Sequence, residues 1–190
     1  LMDTHVHFVL YGAFDQCYGF MHEYVRRTSW DISTRHNQNN KFRHVSLSHQ
    51  YVDNDFYLKT VICYTLRNAP VGSLPFNALD YPWSSGPLYF KKSHYWSSPH
   101  WSEESATKPL KDNPVEKRRA LLKTRDLVYE DVRMIGNIVF PGEYVAVEVV
   151  ERLFRTCKSF NYFMCITKED DIEAKGGSIS HLSIPIQEMR

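Results

Sequence analysis

One stretch, residues 134–169, limits most strongly what this chain can fold into, because the spacing of its apolar residues changes twice. Residues 134–140 are predicted to form a strand that ends at Pro141-Gly142, a dipeptide that turns the chain. The next apolar residues recur at the spacing of a helix and share one face: Val145, Val149, Val150, Leu153, Phe154 and Cys157. Residues 160–167 are aromatic and β-branched, which predicts a second strand. A strand, a helix and a strand with one apolar helix face indicate an α+β or α/β core.

Strands are also predicted in the first third of the chain. Residues 4–14 alternate in a way that is typical of a strand, and a short helix is predicted at residues 16–27. Residues 44–66 are predicted to form a β-hairpin, whose second strand at 56–66 follows the turn-forming run Asp53-Asn54-Asp55.

The last patterned stretch, SISHLSIPI at residues 178–186, also alternates. It predicts a closing strand that pairs with residues 160–167, and Pro185 places its end at a sheet edge. Together the patterns predict a single α+β domain over residues 1–190, mainly an antiparallel sheet packed against two or three helices, with a long apolar loop.

That loop is predicted at residues 68–107. The segment is rich in Pro, Ser and Gly, yet it carries many large apolar side chains, and a short strand is predicted within it at 88–91. Apolar side chains in such a loop pack either on their own domain or on another molecule. The second alternative makes this loop an interaction surface.

Basic residues cluster directly after this loop. Asn113, Pro114 and Glu116 have the pattern of a helix start, so we expect a short helix that runs to Lys123. Such a helix presents either an ordinary solvated face or a local site for phosphate, anionic lipid or an acidic partner. The candidate binding residues are Lys108, Lys111, Lys117, Arg118, Arg119 and Lys123.

Bulk properties exclude several classes of protein. With a net charge of +1, the molecule as a whole is not attracted electrostatically to nucleic acid. Any binding of nucleic acid must therefore use a local basic site. The four cysteines form no Cys-x-x-Cys pair, which favours a reducing, intracellular setting. No apolar run reaches the roughly 18–20 residues of a membrane span, and no signal peptide is recognisable.

One pattern, DTHVHF at residues 3–8, looks catalytic. His5 and His7 alternate after Asp3, and two imidazoles on one face of a strand can bind a hydrolytic metal ion. The pattern resembles the first-strand signature of the amidohydrolase family, whose barrel needs roughly 250 residues. The common nucleophile, nucleotide-binding and zinc-protease motifs are absent. We therefore expect that the protein is not an enzyme and binds no cofactor. A metal-dependent hydrolase that uses the DTHVHF segment is the second alternative.

Six predicted elements follow one another along the chain. They are the strand HVHFVLYGAF, the helix after it, the strand HVSLSHQYV, the apolar loop APVGSLPFNALDYPWSSGPLYF, the strand–helix–strand at 134–167, and the ending GGSISHLSI. This order resembles that of the rhabdovirus matrix proteins. The resemblance implies one α+β domain, interrupted by a long apolar loop that inserts into a pocket on the next molecule. The residues of this implied self-association loop are Val71, Leu74, Phe76, Leu79 and Trp83. Such a contact propagates into arrays. It also implies that the basic helix contacts anionic lipid headgroups or the nucleocapsid.

The expected function is therefore that of a viral matrix protein. Such a protein associates with itself, with the nucleocapsid and with the inner face of an anionic membrane, in the host cytoplasm and in the virion. No small-molecule substrate is expected. The first alternative is a non-enzymatic binding module that uses the aromatic residues at 71–96 to take a peptide or another ligand.

Overall fold

The structure, a computed structural model, describes residues 5–36, 46–71, 76–91, 108–123, 131–166 and 180–183. Internal contacts divide the chain into two compact units. The first unit comprises Leu1–His7 and Asp55–Lys168, and the second comprises Phe8–Asn54 and Glu169–Arg190. The prediction of one domain over the whole chain stays a prediction.

The fold class is α+β, as predicted. In the described residues the helices are α1 (Phe14–His36), α2 (Asp55–Val71), α3 (Val115–Leu122), α4 (Val147–Phe154) and α5 (Cys157–Ile166). The strands are β1 (Ser46–His49), β2 (Lys108–Pro109), β3 (Arg133–Ile135), β4 (Ile138–Val139) and β5 (Ser180–Ser183). Short 3-10 turns occur at Gly86–Leu88, Leu110–Asp112 and Pro141–Glu143. The expectation of mainly antiparallel sheet was wrong, because the strands are short and the helices carry most of the regular structure.

The core of the first unit is a cluster of side chains from α2, α4 and α5. Phe154 and Phe160 meet edge to face with ring centroids 5.0 Å apart, and Phe154 meets Phe163 in the same way at 5.7 Å. Aromatic pairs favour this geometry, because the positive edge of one ring faces the negative face of the other. From α2, the side chains of Ile62, Cys63 and Leu66 join the cluster, and three residues between α2 and β2 belong to it as well: Ala78, Leu79 and Tyr89.

The strand predicted at 56–66 is instead part of α2. Its buried residues recur every three or four positions, as Ile62, Leu66 and Ala69 do, and this spacing places them on one face of a helix. Asp55 in the first turn suits the positive end of the helix dipole. The β-hairpin predicted at 44–66 is therefore wrong in its second strand.

Of the strand predicted at 160–167, residues 160–166 are likewise helical and belong to α5. The hydroxyl oxygen of Thr156 accepts a hydrogen bond from the backbone N–H of Ser159 at 3.1 Å, which caps the start of this helix. Phe160 and Phe163 then face the core one turn apart. The predicted helix on the apolar stripe is confirmed as α4, which ends at Phe154. The next residue, Arg155, has φ +67° and turns the chain toward α5.

A three-stranded antiparallel sheet, in the order β2-β3-β4, completes the first unit. The single strand predicted at 134–140 is a hairpin in which Met134 pairs with Val139 and Ile135 with Ile138. Gly136, with φ +59°, turns the chain between the two strands, a conformation that glycine adopts without steric cost.

The second unit packs α1 against a two-stranded antiparallel sheet of β1 and β5. Val25 of α1 is buried beside Leu47 of β1, and the ring of Phe14 lies 5.2 Å from that of His49. The helix predicted at 16–27 is confirmed within α1, but no strand forms at residues 5–14. The closing strand is confirmed as β5, although it pairs with β1 and not with residues 160–167.

Candidate functional site

The apolar segment at residues 76–91 is the candidate functional site, and it is fixed to the core of the first unit. Its buried side chains are Ala78, Leu79, Tyr81, Leu88 and Tyr89. The Tyr89 hydroxyl donates a hydrogen bond to the hydroxyl of Ser85 at 3.0 Å, and burial raises the pKa of Tyr89. No strand forms at 88–91, because Gly86–Leu88 is a 3-10 turn and the chain turns again at Tyr89 and Phe90.

Local hydrogen bonds hold this segment in one conformation. The side-chain carbonyl of Asn77 accepts from the backbone N–H of Leu79 at 3.1 Å, and the hydroxyl of Ser84 accepts from the N–H of Gly86 at 3.2 Å. Such bonds are typical of Asx and ST turns. A Cβ atom at Gly86 would lie 2.4 Å from the backbone oxygen of Ala78, so the turn depends on glycine.

A long-range hydrogen bond joins the end of the segment to α4. The backbone N–H of Phe90 donates to Oε1 of Glu151 at 2.6 Å, and the Phe90 ring lies 5.4 Å from that of Phe160. Phe90 has φ +51°, a conformation that costs free energy for a residue with a side chain. The carboxylate bond and the ring contact offset this cost.

Two large aromatic side chains of the segment point outward. Phe76 is 41% exposed and Trp83 is 56% exposed. The ring of Phe76 lies 5.4 Å from that of buried Tyr81, which limits its freedom. The segment therefore presents aromatic surface from a fixed backbone.

The predicted self-association residues thus divide into different roles. Phe76 and Trp83 are at the surface, but Leu79 is only 7% exposed and belongs to the core of the first unit. Leu79 would have to leave that core to insert into another molecule, so its burial argues against the predicted role, which stays a prediction. Val71 ends α2, while its side chain and all of Leu74 lie outside the described residues, as do residues 92–107 of the predicted loop.

The predicted basic patch lies on β2, the 3-10 turn that follows and α3. The start of α3 was predicted to within one residue, since Val115 is its first residue and Pro114 precedes it. Lys108, Lys117, Arg119 and Lys123 are exposed, whereas Arg118 is partly buried. Lys111 forms an ion pair of 2.7 Å with Asp131, which offsets part of its charge.

His5 and His7 do come together, although not on a strand. Their ring centroids are 4.9 Å apart, and the ring of His7 meets that of Tyr64 edge to face at 5.7 Å. Partial burial of the ring lowers the pKa of His7, and the nearby His5 lowers it further by electrostatic repulsion. This imidazole is therefore neutral at pH 7. No group of three or more His, Cys, Asp or Glu side chains suited to a metal ion occurs in the part of the chain that the structure describes.

A groove beside α4 was not found by sequence reasoning. It has a volume of about 490 Å³ and runs past Leu88, Lys91, Arg133 and the start of α4. Two apolar residues of its wall, Val145 and Val149, belong to the stripe that the sequence revealed, whereas Leu88 and Val147 do not. The two cations come from distant parts of the chain. Only the fold brings them together.

Among the described helices, none combines the length and the hydropathy that crossing a membrane requires. Comparison with known proteins gave no match: no family model fits the chain, and no curated protein and no solved structure is significantly similar to it.

Proposed function

We propose that this chain is a structural protein that associates with itself and binds an anionic surface, as a viral matrix protein does when it bridges the nucleocapsid and the inner face of a membrane. The observation that carries the proposal is the outward position of Phe76 and Trp83 on a segment whose backbone is fixed. Exposed aromatic side chains on a rigid backbone are favourable contact residues, because little conformational entropy is lost when they are buried.

The basic residues around α3 support the second half of the proposal. Lys108, Lys117, Arg119 and Lys123 are exposed. Each exposed Lys or Arg near an anionic membrane contributes about 1 kcal/mol of binding free energy, so four of them hold a protein at such a surface without a membrane-spanning helix. The same charges suit the phosphates of a nucleocapsid.

The structure contains only some of the elements that carry the resemblance to rhabdovirus matrix proteins. The apolar segment and the strand at 46–49 are present, but the first strand and the strand at 160–167 are not. The functional proposal therefore depends on the exposed residues themselves and not on the order of elements.

The test is light scattering of the purified chain over a range of salt concentrations, with and without liposomes that contain phosphatidylserine. We expect particles that grow at low salt and dissociate at high salt, and co-sedimentation with the anionic liposomes but not with neutral ones. A protein that stays monomeric at every salt concentration and does not bind anionic liposomes would contradict the proposal. This result would favour the non-enzymatic binding module.

A further inference from the structure

Two residues of the first unit, Phe90 and Arg155, have strained backbone conformations at turns that meet the helical core. Phe90 lies near the end of the apolar segment at 76–91 and has φ +51°, and Arg155 directly follows α4 and has φ +67°. Residues other than glycine rarely adopt such angles, because the Cβ atom comes too close to the backbone. Each turn therefore costs free energy that the surrounding contacts have to offset.

The turn at Arg155 is of an uncommon kind. Its ψ of −39° lies outside the left-handed helical region, whereas Lys123, which follows α3, lies inside that region with φ 54° and ψ 32°. The backbone N–H of Thr156 donates to the carbonyl of Phe154 at 2.8 Å, so the hydrogen bond spans Arg155 alone. This is a γ-turn with a positive φ at its centre, a form that is rare and strained.

Glu151 is a hydrogen-bond acceptor for both turns. Its side-chain Oε1 accepts the backbone N–H of Phe90 at 2.6 Å, and its backbone carbonyl accepts the N–H of Arg155 at 2.8 Å. Relaxation of Phe90 to a negative φ would turn its N–H away from the carboxylate, and the loss of a charged acceptor is costly. Glu151 therefore holds both strained residues from one position on α4.

Phe160 is the second partner that the two turns share. Its side chain is completely buried, and its ring centroid lies 5.4 Å from that of Phe90 and 5.0 Å from that of Phe154. Because only Arg155 and Thr156 connect α4 to α5, a change in the Arg155 turn moves Phe160 relative to α4. The same movement takes Phe160 away from Phe90, which is bonded to α4.

We propose that Phe90 and Arg155 form one conformational latch. The two turns are held in their strained forms together and relax together, and their relaxation releases the end of the apolar segment from α4 and α5. Each turn depends on Glu151 and Phe160, so neither relaxes without removing a contact that the other needs. A two-state element of this kind couples the parts of the chain that it joins, here residues 76–91 and the α4–α5 turn.

Amide hydrogen exchange of the isotope-labelled protein at high salt, followed by NMR, measures opening of the latch. The informative amides are those of Phe90, Arg155 and Thr156, while that of Leu66, buried in the core of α2, reports global unfolding. We expect the three latch amides to share one opening free energy that is lower than that of Leu66. Different values for Phe90 and Thr156, or opening only together with Leu66, would overturn the proposal.

Variants of Arg155 test the coupling through strain. Arg155→Gly removes the steric cost of the positive φ and should slow exchange of the Phe90 amide about five- to tenfold, although Phe90 lies on another element. Arg155→Ala removes the same side chain but keeps the steric cost, so it is the matched control and should leave this exchange rate within about twofold of the original. If Arg155→Gly slows exchange at Thr156 but not at Phe90, the turns relax independently and the proposal is wrong.

Glu151→Gln tests the shared acceptor. The variant keeps the shape of the side chain and removes its charge, so the amide of Phe90 should exchange faster. The latch requires that the amide of Thr156, which donates to Phe154 and not to Glu151, becomes faster by a similar factor. An effect confined to Phe90 would reveal a purely local hydrogen bond and would contradict the latch.

The consequence for assembly rests on the proposed function. The latch fixes the end of the segment that presents Phe76 and Trp83, so Arg155→Gly should strengthen self-association relative to Arg155→Ala in light scattering. Failure of the proposed function would appear as no assembly of the original protein at any salt concentration. Failure of the latch would appear in the exchange rates at high salt, so the two failures are distinguishable.

Discussion

At the scale of single residues, Glu151 determines how the aromatic segment meets the helical core. Its carboxylate accepts the backbone N–H of Phe90, a residue 61 positions away in the chain. A hydrogen bond to a charged group contributes more to the free energy of unfolding than a bond between neutral groups does. A buried donor that loses its acceptor lowers this free energy. One side chain on α4 therefore stabilises the left-handed turn that ends the segment.

We expect Glu151→Ala to lower the free energy of unfolding by about 1–3 kcal/mol, because the amide of Phe90 loses its acceptor. Urea denaturation followed by circular dichroism measures the change. Glu148→Ala, an exposed position on the same helix, is the matched control and should cost less than about 1 kcal/mol. Equal losses in the two variants would show that the Phe90 bond contributes nothing.

Two glycines offer opposite outcomes for the same substitution. Gly86→Ala should destabilise the protein by about 1–3 kcal/mol, because the new Cβ atom meets the backbone oxygen of Ala78. Gly19→Ala should stabilise α1 by about 0.5–1 kcal/mol, since no atom lies within 4 Å of its Cβ position and alanine favours a helix. Thermal unfolding of both variants checks the pair, and a stabilising Gly86→Ala would contradict the described turn.

The titration of Glu23 gives a prediction about pH. Hydrogen bonds from Arg26 and Arg27 lower the pKa of this carboxyl from 4.5 to about 2. Because the folded pKa is the lower one, the ion pairs stabilise α1 above pH 4.5, and this contribution disappears as the pH falls through about 2. NMR titration of the Glu23 carboxyl should show the low value, and Arg26→Ala with Arg27→Ala should return it toward 4.5. An unchanged value in the double variant would refute the assignment.

At the scale of elements, the spacing of apolar residues predicted some helices correctly. Other helices were predicted as strands, because their composition favours strands. The start of α3 and the apolar stripe of α4 were predictable, because capping residues and a regular stripe are local signals. In contrast, α2 and α5 are rich in aromatic and β-branched residues, which favour strands in isolation. Tertiary packing overrode that preference, since their buried residues recur at helical spacing.

Pairing partners were the least predictable feature. The sequence indicated a strand at 178–186 but not that it would pair with β1, because the pairing joins residues far apart in the chain. The hairpin of β3 and β4 was missed although Gly136-Asn137 is a known turn signal. The site shows the same limit: Phe76, Leu79 and Trp83 are similar apolar residues in the sequence, and only the fold shows that Leu79 is the buried one.

The element that carries the basic patch should control membrane binding. Replacing Lys108, Lys117 and Arg119 together with Gln should weaken binding to phosphatidylserine liposomes on the order of 100-fold, because each charge contributes about 1 kcal/mol. Liposome sedimentation measures the loss. The matched control replaces three other exposed cations, Arg152, Arg155 and Lys158, with Gln. If the control variant loses as much affinity, binding follows total charge and the patch has no special role.

At the scale of the whole molecule, the first unit carries two surfaces with different chemistry. The aromatic side chains of the segment at 76–91 suit contact with another copy of the protein. The basic residues around α3 suit an anionic partner, and their attraction weakens with salt. A protein with both surfaces can form a layer on a charged membrane, which is the central claim for this chain.

Analytical ultracentrifugation of the double variant Phe76→Ser with Trp83→Ser tests that claim most directly. Both side chains are largely at the surface, although Phe76 contacts Tyr81, so the variant should stay folded with only a small loss of unfolding temperature. It should remain a monomer at concentrations where the original protein assembles. Tyr162→Ser, which removes an aromatic ring that is 61% exposed on α5, should assemble normally. Assembly of the double variant to the same extent as the original protein would contradict the account, and so would its unfolding.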